Sequence, residues 1–316
     1  MTVTAPARLH MGFIDLSGSL GRHFGSIGVA LNEINTRVSI SYADQLTFSG
    51  IASKRLVACV QQLCAEFEVA DTLHLELHAS IPEHVGLGSG TQMSIAVGLA
   101  LSAFYGLGLT VRDIAQVTAR GARSGIGIAI FEHGGLIVDG GRGEHTLTPP
   151  IISRMAVPED WRFILVLDKR GQGLHGEQEI QAFKDLAPFP HTEAARLCYL
   201  LMMQALPALA EDKIELFGDV ITQLQTSVGE HFASVQGGVF TSPEVATAMQ
   251  FLQAQGAVAI GQTSWGPTGF CAVQGVEKAE QLKQGLEKTL SDCKYLSVLI
   301  ASARNSGGSV KSSRLE

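Results

Sequence analysis

Residues 82–93 read Pro-Glu-His-Val-Gly-Leu-Gly-Ser-Gly-Thr-Gln-Met, with glycine at 86, 88 and 90. This segment constrains the fold most, because of what stands on either side of it. Before it, Leu73, Leu75 and Leu77 alternate with His74, Glu76 and His78, the period of a strand with one buried face. After it, residues 91–105 are apolar nearly all round, which predicts a central, buried helix. Glycines allow a tight turn between the two. The helix start then presents unpaired N–H groups and the positive end of the helix dipole. Such a geometry suits a phosphate or diphosphate. Gly86, Leu87, Gly88, Ser89, Gly90 and Thr91 are therefore candidate anion-binding residues, and the hydroxyls of Ser89 and Thr91 could meet a phosphate-bound magnesium ion.

Two familiar phosphate motifs do not fit. A P-loop needs Lys before Ser or Thr, and no Lys occurs between residues 56 and 168. A dinucleotide fingerprint spaces its glycines GxGxxG inside alternating strands and helices; here the spacing is GxGxG and the alternation is missing. From glycine alone, a loop that merely turns a corner remains open.

The surrounding pattern is α+β. Strands are expected at 3–9, 26–32 and 36–42, and a helix at 54–67. Thr110 and Asp113 form a capping-box signature for another helix. The glycine-rich stretch 124–143 predicts short strands and turns. Pro149, Pro150 and Pro158 punctuate the chain, which divides it into domains 1–155 and 156–303. The second half reads as a strand at 162–168, helices at 176–186, 192–206, 213–231 and 242–255, strands at 257–261 and 269–273, a helix at 276–290 and a strand at 295–301. Residues 304–316, rich in Ser and Gly, are expected to be a disordered tail.

Composition narrows the function class. A net charge of −7, with no basic cluster longer than a pair, argues against a nucleic-acid partner. The most apolar stretch, 93–109, is interrupted by Gly98, Gly106 and Gly108 and is too short to span a membrane. The first residues lack the basic and apolar segments of a secretory leader. Five cysteines with no CxxC pair read as free thiols in a reducing, cytoplasmic compartment.

Three motifs in order carry a resemblance. Pro82-x-x-x-Gly86-Leu-Gly88-Ser89 before an apolar helix resembles the central motif of the GHMP kinases. Ala5-Pro-Ala-Arg-Leu-His-Met-Gly12 resembles their first motif, and residues 261–269, Gly-Gln-Thr-Ser-Trp-Gly-Pro-Thr-Gly, lie where their third one falls. Residues 8–16, 121–127, 131–135 and 261–267 are similar to one branch, the β-ribofuranosylaminobenzene 5′-phosphate synthases. The resemblance implies a two-domain GHMP-kinase-like fold, with a ribosomal S5 domain 2-like N-terminal half and a ferredoxin-like C-terminal half. It implies a pentosyltransferase that joins 5-phosphoribosyl 1-diphosphate to 4-aminobenzoate or 4-hydroxybenzoate, with loss of CO2 and diphosphate, in methanopterin biosynthesis. It also implies Mg2+ and a homodimer. An Asp that serves many of the kinases as base is missing from 125–131, which reads Gly-Ile-Gly-Ile-Ala-Ile-Phe. An ATP-dependent small-molecule kinase and a non-catalytic ligand sensor are the competing expectations.

Roles follow from that chemistry. Arg8 would hold a phosphate or the benzoate carboxylate, because guanidinium forks match both. His10 would bind substrate or donate to the leaving group. Asp15 would hold ribose hydroxyls or, with Ser89, the metal. Arg123 is the better phosphate candidate of the pair Arg120 and Arg123. Asp168 ends a buried strand, and Glu177 follows in a polar stretch. Gln262, Thr263 and Ser264 supply neutral polar groups, and Trp265 could stack on the aromatic substrate. Each also has a structural reading: a strand arginine, a core histidine, a turn-capping aspartate, a helix-end cation or acid, or a packed tryptophan.

Overall fold

A computed structural model describes residues 1–170, 181–183 and 185–312. The N-terminal half is a seven-stranded sheet carrying helices. Its spine is a long antiparallel pair, β1 (Thr2–Asp15) and β2 (Phe24–Tyr42). The sequence reads β2 as two strands, but its 19 residues run unbroken. One end of β2 pairs with β4 (Leu73–Ala79), and β3 (Thr47–Gly50) lies parallel beyond that strand. The other end pairs with β5 (Leu136–Asp139), which carries β6 (Ile151–Met155). Helix α1 (Lys54–Glu66) makes the crossover from β3 to β4.

Helix α2 (Ser89–Tyr105) lies against this sheet with residues 92–102 all buried, as its unbroken apolar surface dictates. Helix α3 (Val111–Val117) starts at the expected box: Thr110 accepts from the Asp113 N–H, and the Asp113 carboxylate accepts from the Thr110 N–H. The stretch 124–143 departs from expectation. It holds a helix, α4 (Ile126–His133), before β5. The buried Asp139 carboxylate, on the neighbouring strand, accepts from the Gly125 N–H that opens α4. That tertiary cap adds to a local one, since Ser124 Oγ accepts from the Ile126 N–H.

In the C-terminal half, β7 (Trp161–Asp168), β8 (Val258–Gln262), β9 (Thr268–Gln274) and β10 (Leu296–Ser302) form an antiparallel sheet in the order β10-β7-β9-β8. Between β7 and β8 come α5 (His191–Leu200), a wide π-type turn (Leu201–Ala205), α6 (Leu206–Ala210), α7 (Ile214–Gln236) and α8 (Pro243–Ala254). Helix α9 (Val276–Thr289) joins β9 to β10. The helix expected at 176–186 lies largely outside the described residues.

The two halves share one core. Leu9, Met11, Phe13, Ile27 and Val29 from the first sheet pack in the same cluster as Phe163, Leu165, Phe217, Leu224 and Phe270 from the second half. The tail differs most from the sequence reading. Ala303 bridges to Leu31, and β11 (Ser309–Lys311) adds an edge strand to β1 at Thr2–Thr4. Its Gly307 and Gly308 press against Phe131, where a Cβ would come within 2.4 Å of Phe131 atoms. Small residues there permit close packing rather than disorder. Among the described residues, no helix is long and apolar enough to cross a membrane.

Candidate active site

Irregularities in β1 set the site. The register of β1 on β2 shifts between Pro6 and Arg8 and again between His10 and Gly12. Bulges of this kind re-aim side chains. Gly12 has φ +131°, and a Cβ there would lie 2.0 Å from Leu224 Cδ2 on α7, so only glycine fits the second shift. Arg8 and His10 stand two residues apart between these shifts.

Three distant segments meet at this point. The Arg8 N–H donates to the Leu87 carbonyl at 3.1 Å, and Arg8 Nη1 donates to the Gly86 carbonyl at 3.0 Å. The His10 N–H donates to Thr263 Oγ1 at 3.0 Å, and the same hydroxyl donates to the Gly86 carbonyl at 3.0 Å. Gly86 sits at φ +80°, with its missing Cβ position 2.2 Å from the Thr263 carbonyl. Gly266 abuts Val85 as closely. The glycines thus serve backbone-to-backbone approach as well as turning.

Cations ring the loop. The Arg8 side chain crosses Gly88, the residue that opens α2. Arg55, on α1, donates from Nη1 to Ser89 Oγ at 3.0 Å, and its Nη2 lies 3.2 Å from His84 Nε2. Arg120 lies over Gly90, with Nη1 3.3 Å from the position of a Cβ. Loss of water, and then the charge of Arg55, hold the Arg120 guanidinium below its ordinary pKa. His84 is held at φ +60°, a strained conformation for a non-glycine residue. Sequence reasoning missed Arg55 and ranked Arg120 below Arg123 as a phosphate candidate. Their positions on α1 and just past α3 carry no motif, and only a prediction of helix packing could have brought them here.

His10 is 2% exposed. The Gly12 N–H donates to its Nδ1 at 3.3 Å, which assigns the proton to Nε2. Nε2 has no partner among the described residues. Burial, with a smaller contribution from Arg8, lowers the imidazole pKa well below 6.5. His10 is a neutral donor, not a cation. It borders a cavity of about 20 Å³, shared with Gln225, Phe232 and Ser264, which is the scale of one water.

Trp265 is buried at 2% exposure in an aromatic cluster. Its ring lies 4.2 Å from Phe232 at 31° and 5.4 Å from Phe183. Its indole N–H is unpartnered among the described residues. Arg123 places its guanidinium 5.1 Å from the Phe183 ring, which adds it to the aromatic cluster. Ser264 lies beside the cluster at φ +56°.

Other candidates are engaged elsewhere. The Asp15 carboxylate accepts from the Ser17 N–H and hydroxyl and the Gly18 N–H, which makes it the cap of a turn. Gln262 accepts from Thr241 and donates its N–H to Gln225. Asp168 accepts from the Arg170 N–H and guanidinium and from Ser242 Oγ. Arg170 also pairs with Glu244 and lies over the Tyr295 ring. Glu177 lies outside the described residues. Asp15 and Ser89 do not form one metal site. Asp15 stands seven residues beyond Arg8 along β1, roughly 20 Å from the loop. Among the described residues, no group of three or more His, Cys, Asp or Glu could hold a metal.

Comparison with known proteins fits this geometry. The GHMP kinases N terminal domain family matches residues 54–135, and the GHMP kinases C terminal family matches residues 205–292. A beta-ribofuranosylphenol 5′-phosphate synthase of Archaeoglobus fulgidus is 31% identical over 97% of this chain and 98% of its own. One from Methanocaldococcus jannaschii is 34% identical over 71% of this chain and 76% of its own. This chain belongs to the GHMP-kinase superfamily, in the beta-ribofuranosylphenol 5′-phosphate synthase branch. Solved structures with the same fold include Leishmania mevalonate kinase, at TM-score 0.67, 14% identity and 97% coverage of both chains. Mevalonate pyrophosphate decarboxylase of Streptococcus pyogenes also has a TM-score of 0.67, at 15% identity and 96% coverage of both.

Within this superfamily the α4 helix acquires a specific meaning. Gly127 faces the start of α2, where a Cβ would lie 3.1 Å from Thr91 Cγ2 and 3.5 Å from Gln92 Nε2. The stretch from which the kinase acid is missing therefore lies against the loop. Asp139, the nearest buried carboxylate in sequence, is occupied. Ser26 Oγ, at 2.5 Å, and the Gly125 and Gly141 N–H groups all donate to it.

Proposed function

We propose that this protein transfers the phosphoribosyl group of 5-phosphoribosyl 1-diphosphate to 4-hydroxybenzoate or 4-aminobenzoate, with loss of CO2. The observation that carries the reading is the charge pattern at the glycine loop. Arg8, Arg55 and Arg120 surround it, and Gly127 of α4, in a stretch 125–131 that holds no acid, faces the first turn of α2.

The chemistry agrees with that pattern. The ring carbon that bears the carboxylate supplies an electron pair to the ribose anomeric carbon. The bond from that carbon to diphosphate breaks, and diphosphate departs with its electrons. The ring-to-carboxylate bond then cleaves, its electrons restore aromaticity, and CO2 leaves. No proton need be removed from the acceptor, so no base is required. What the site must supply is stabilisation of negative charge on the leaving group. The N–H groups at the start of α2 and the nearby guanidiniums do so. Magnesium would come with the diphosphate substrate, whose phosphate oxygens supply most of its ligands, and would add positive charge at the leaving group. Neutral His10 offers a hydrogen-bond donor. The relatives are named for a phenol product, which favours the hydroxybenzoate.

The test is direct. Purified protein is mixed with Mg2+, 5-phosphoribosyl 1-diphosphate and carboxyl-labelled 4-hydroxybenzoate or 4-aminobenzoate, and released CO2 is counted. Release that requires both substrates supports the reading. ATP consumption with a small alcohol, without CO2 release, would replace it with a kinase.

A further inference from the structure

We infer that Arg55 and Arg120 form a second cationic jaw, opposite Arg8, that grips the diphosphate across the first turn of α2. This inference rests on the proposed function for its substrate, but it concerns residues outside the family motifs quoted above.

The two arginines come from separate elements and converge on adjacent residues. Arg55 reaches Ser89 from α1, and Arg120 reaches Gly90 from the end of the α3 segment. Arg8 approaches Gly88 from β1. Three guanidiniums thus address three consecutive residues at the positive end of one helix. The helix dipole and the neighbouring cation disfavour Arg55 and Arg120 there, and a bound anion would offset both.

The local charge is poorly balanced. Arg55 has one acidic neighbour, Glu83, at 3.6 Å, and that side chain is 41% exposed. Among the described residues, no carboxylate pairs with Arg120. The 3.3 Å approach of Arg120 to the Gly90 Cβ position means that even a methyl group at 90 would make this guanidinium give way by a few tenths of an ångström. A structural arginine would normally be matched by an acid or a run of carbonyls. Besides its 3.6 Å approach to Glu83, Arg55 donates to a hydroxyl, Ser89 Oγ, which keeps its own proton for a phosphate oxygen. Two forked donors on one side suit a multiply charged diphosphate better than a single carboxylate.

The experiment uses the full-length protein and inorganic pyrophosphate as probe. Pyrophosphate should raise the melting temperature of the wild type and bind measurably in calorimetry, with affinity that falls as salt increases. R55Q and R120Q should each weaken pyrophosphate binding by about tenfold or more, and R120K should recover part of the loss. In turnover, both Gln variants should raise the KM for 5-phosphoribosyl 1-diphosphate and leave the KM for the benzoate nearly unchanged. Wild-type pyrophosphate affinity in both Gln variants overturns the inference, as does failure of pyrophosphate to bind the wild type. Arginine-dependent pyrophosphate binding in a protein that releases no CO2 upholds the jaw and removes the phosphoribosyl reading. If a Gln variant does not fold, the Lys variant and the wild-type salt dependence still decide the matter.

Discussion

The hydroxyl of Thr263 joins the two halves of the chain at one atom, donating to the Gly86 carbonyl at 3.0 Å while it accepts from the His10 N–H at 3.0 Å. Thr263 is fully buried, so water cannot replace either bond. Thr263→Val keeps the shape and removes both bonds. It should destabilise the protein by about 1–3 kcal/mol, the cost of leaving buried polar groups unpaired. The glycine loop should shift with it, and the KM for 5-phosphoribosyl 1-diphosphate should rise. Thr263→Ser should retain most of both properties. Urea unfolding and steady-state kinetics on the two variants check this; equal behaviour of Val and Ser would show that the bridge contributes nothing.

His10 should stay neutral across the working pH range, because burial and then Arg8 depress its pKa. The sign of the linkage follows. Above about pH 6.5 both folded and unfolded states carry neutral imidazole, and His10 has no effect. Below that, only the unfolded state gains the proton, so stability falls as pH falls, by up to about 1.4 kcal/mol per pH unit. His231, lowered by partial burial, adds to this in the same direction. Comparison of wild type with His10→Asn between pH 7 and 5 isolates the His10 share. A nitrogen NMR titration of His10 with a midpoint near 6.5 would contradict the burial argument.

Asp168 contributes to acid stability. Burial opposes its charge, but the Arg170 fork, the Arg170 N–H and Ser242 outweigh burial and bring its pKa to about 2. The stabilisation is present above about pH 4 and is lost as pH falls toward 2. A shift of this size corresponds to about 2 kcal/mol. Asp168→Asn should lose about that much stability at neutral pH and flatten the profile between pH 4 and 2. Its KM values should stay near wild type, since the carboxylate is engaged by Arg170 and Ser242. A large rise in the KM for 5-phosphoribosyl 1-diphosphate would return Asp168 to the substrate.

Local spacing made much of the molecule legible. The alternation at residues 73–79 gives β4, the unbroken apolar run gives α2, and Thr110 with Asp113 gives the start of α3. Gly86, Gly88 and Gly90 mark the turn into α2, and Arg8 and His10 stand beside it because one strand carries both. These features depend on residues a few positions apart, and the backbone periods of 2 and 3.6 convert such spacing into direction.

Pairing across the chain decided the rest. The bonds that assemble the site join residues separated by 78, 177 and 253 positions, and no periodicity encodes such partners. Arg55 and Arg120 reached the loop only because α1 and the end of α3 pack beside α2. Asp168 and Gln262, equally plausible in sequence, were drawn into bonds of their own. Residues 309–311 became a strand because β1 offered a free edge, and an unpaired edge is satisfied by whichever segment the fold returns to it. The sequence by itself determined the elements whose apolar spacing is local, β4, α2 and α3 among them, and marked the glycine turn that opens the buried helix. The tertiary structure alone decided which charged side chains gather at that turn, because burial and partner geometry govern where each is engaged.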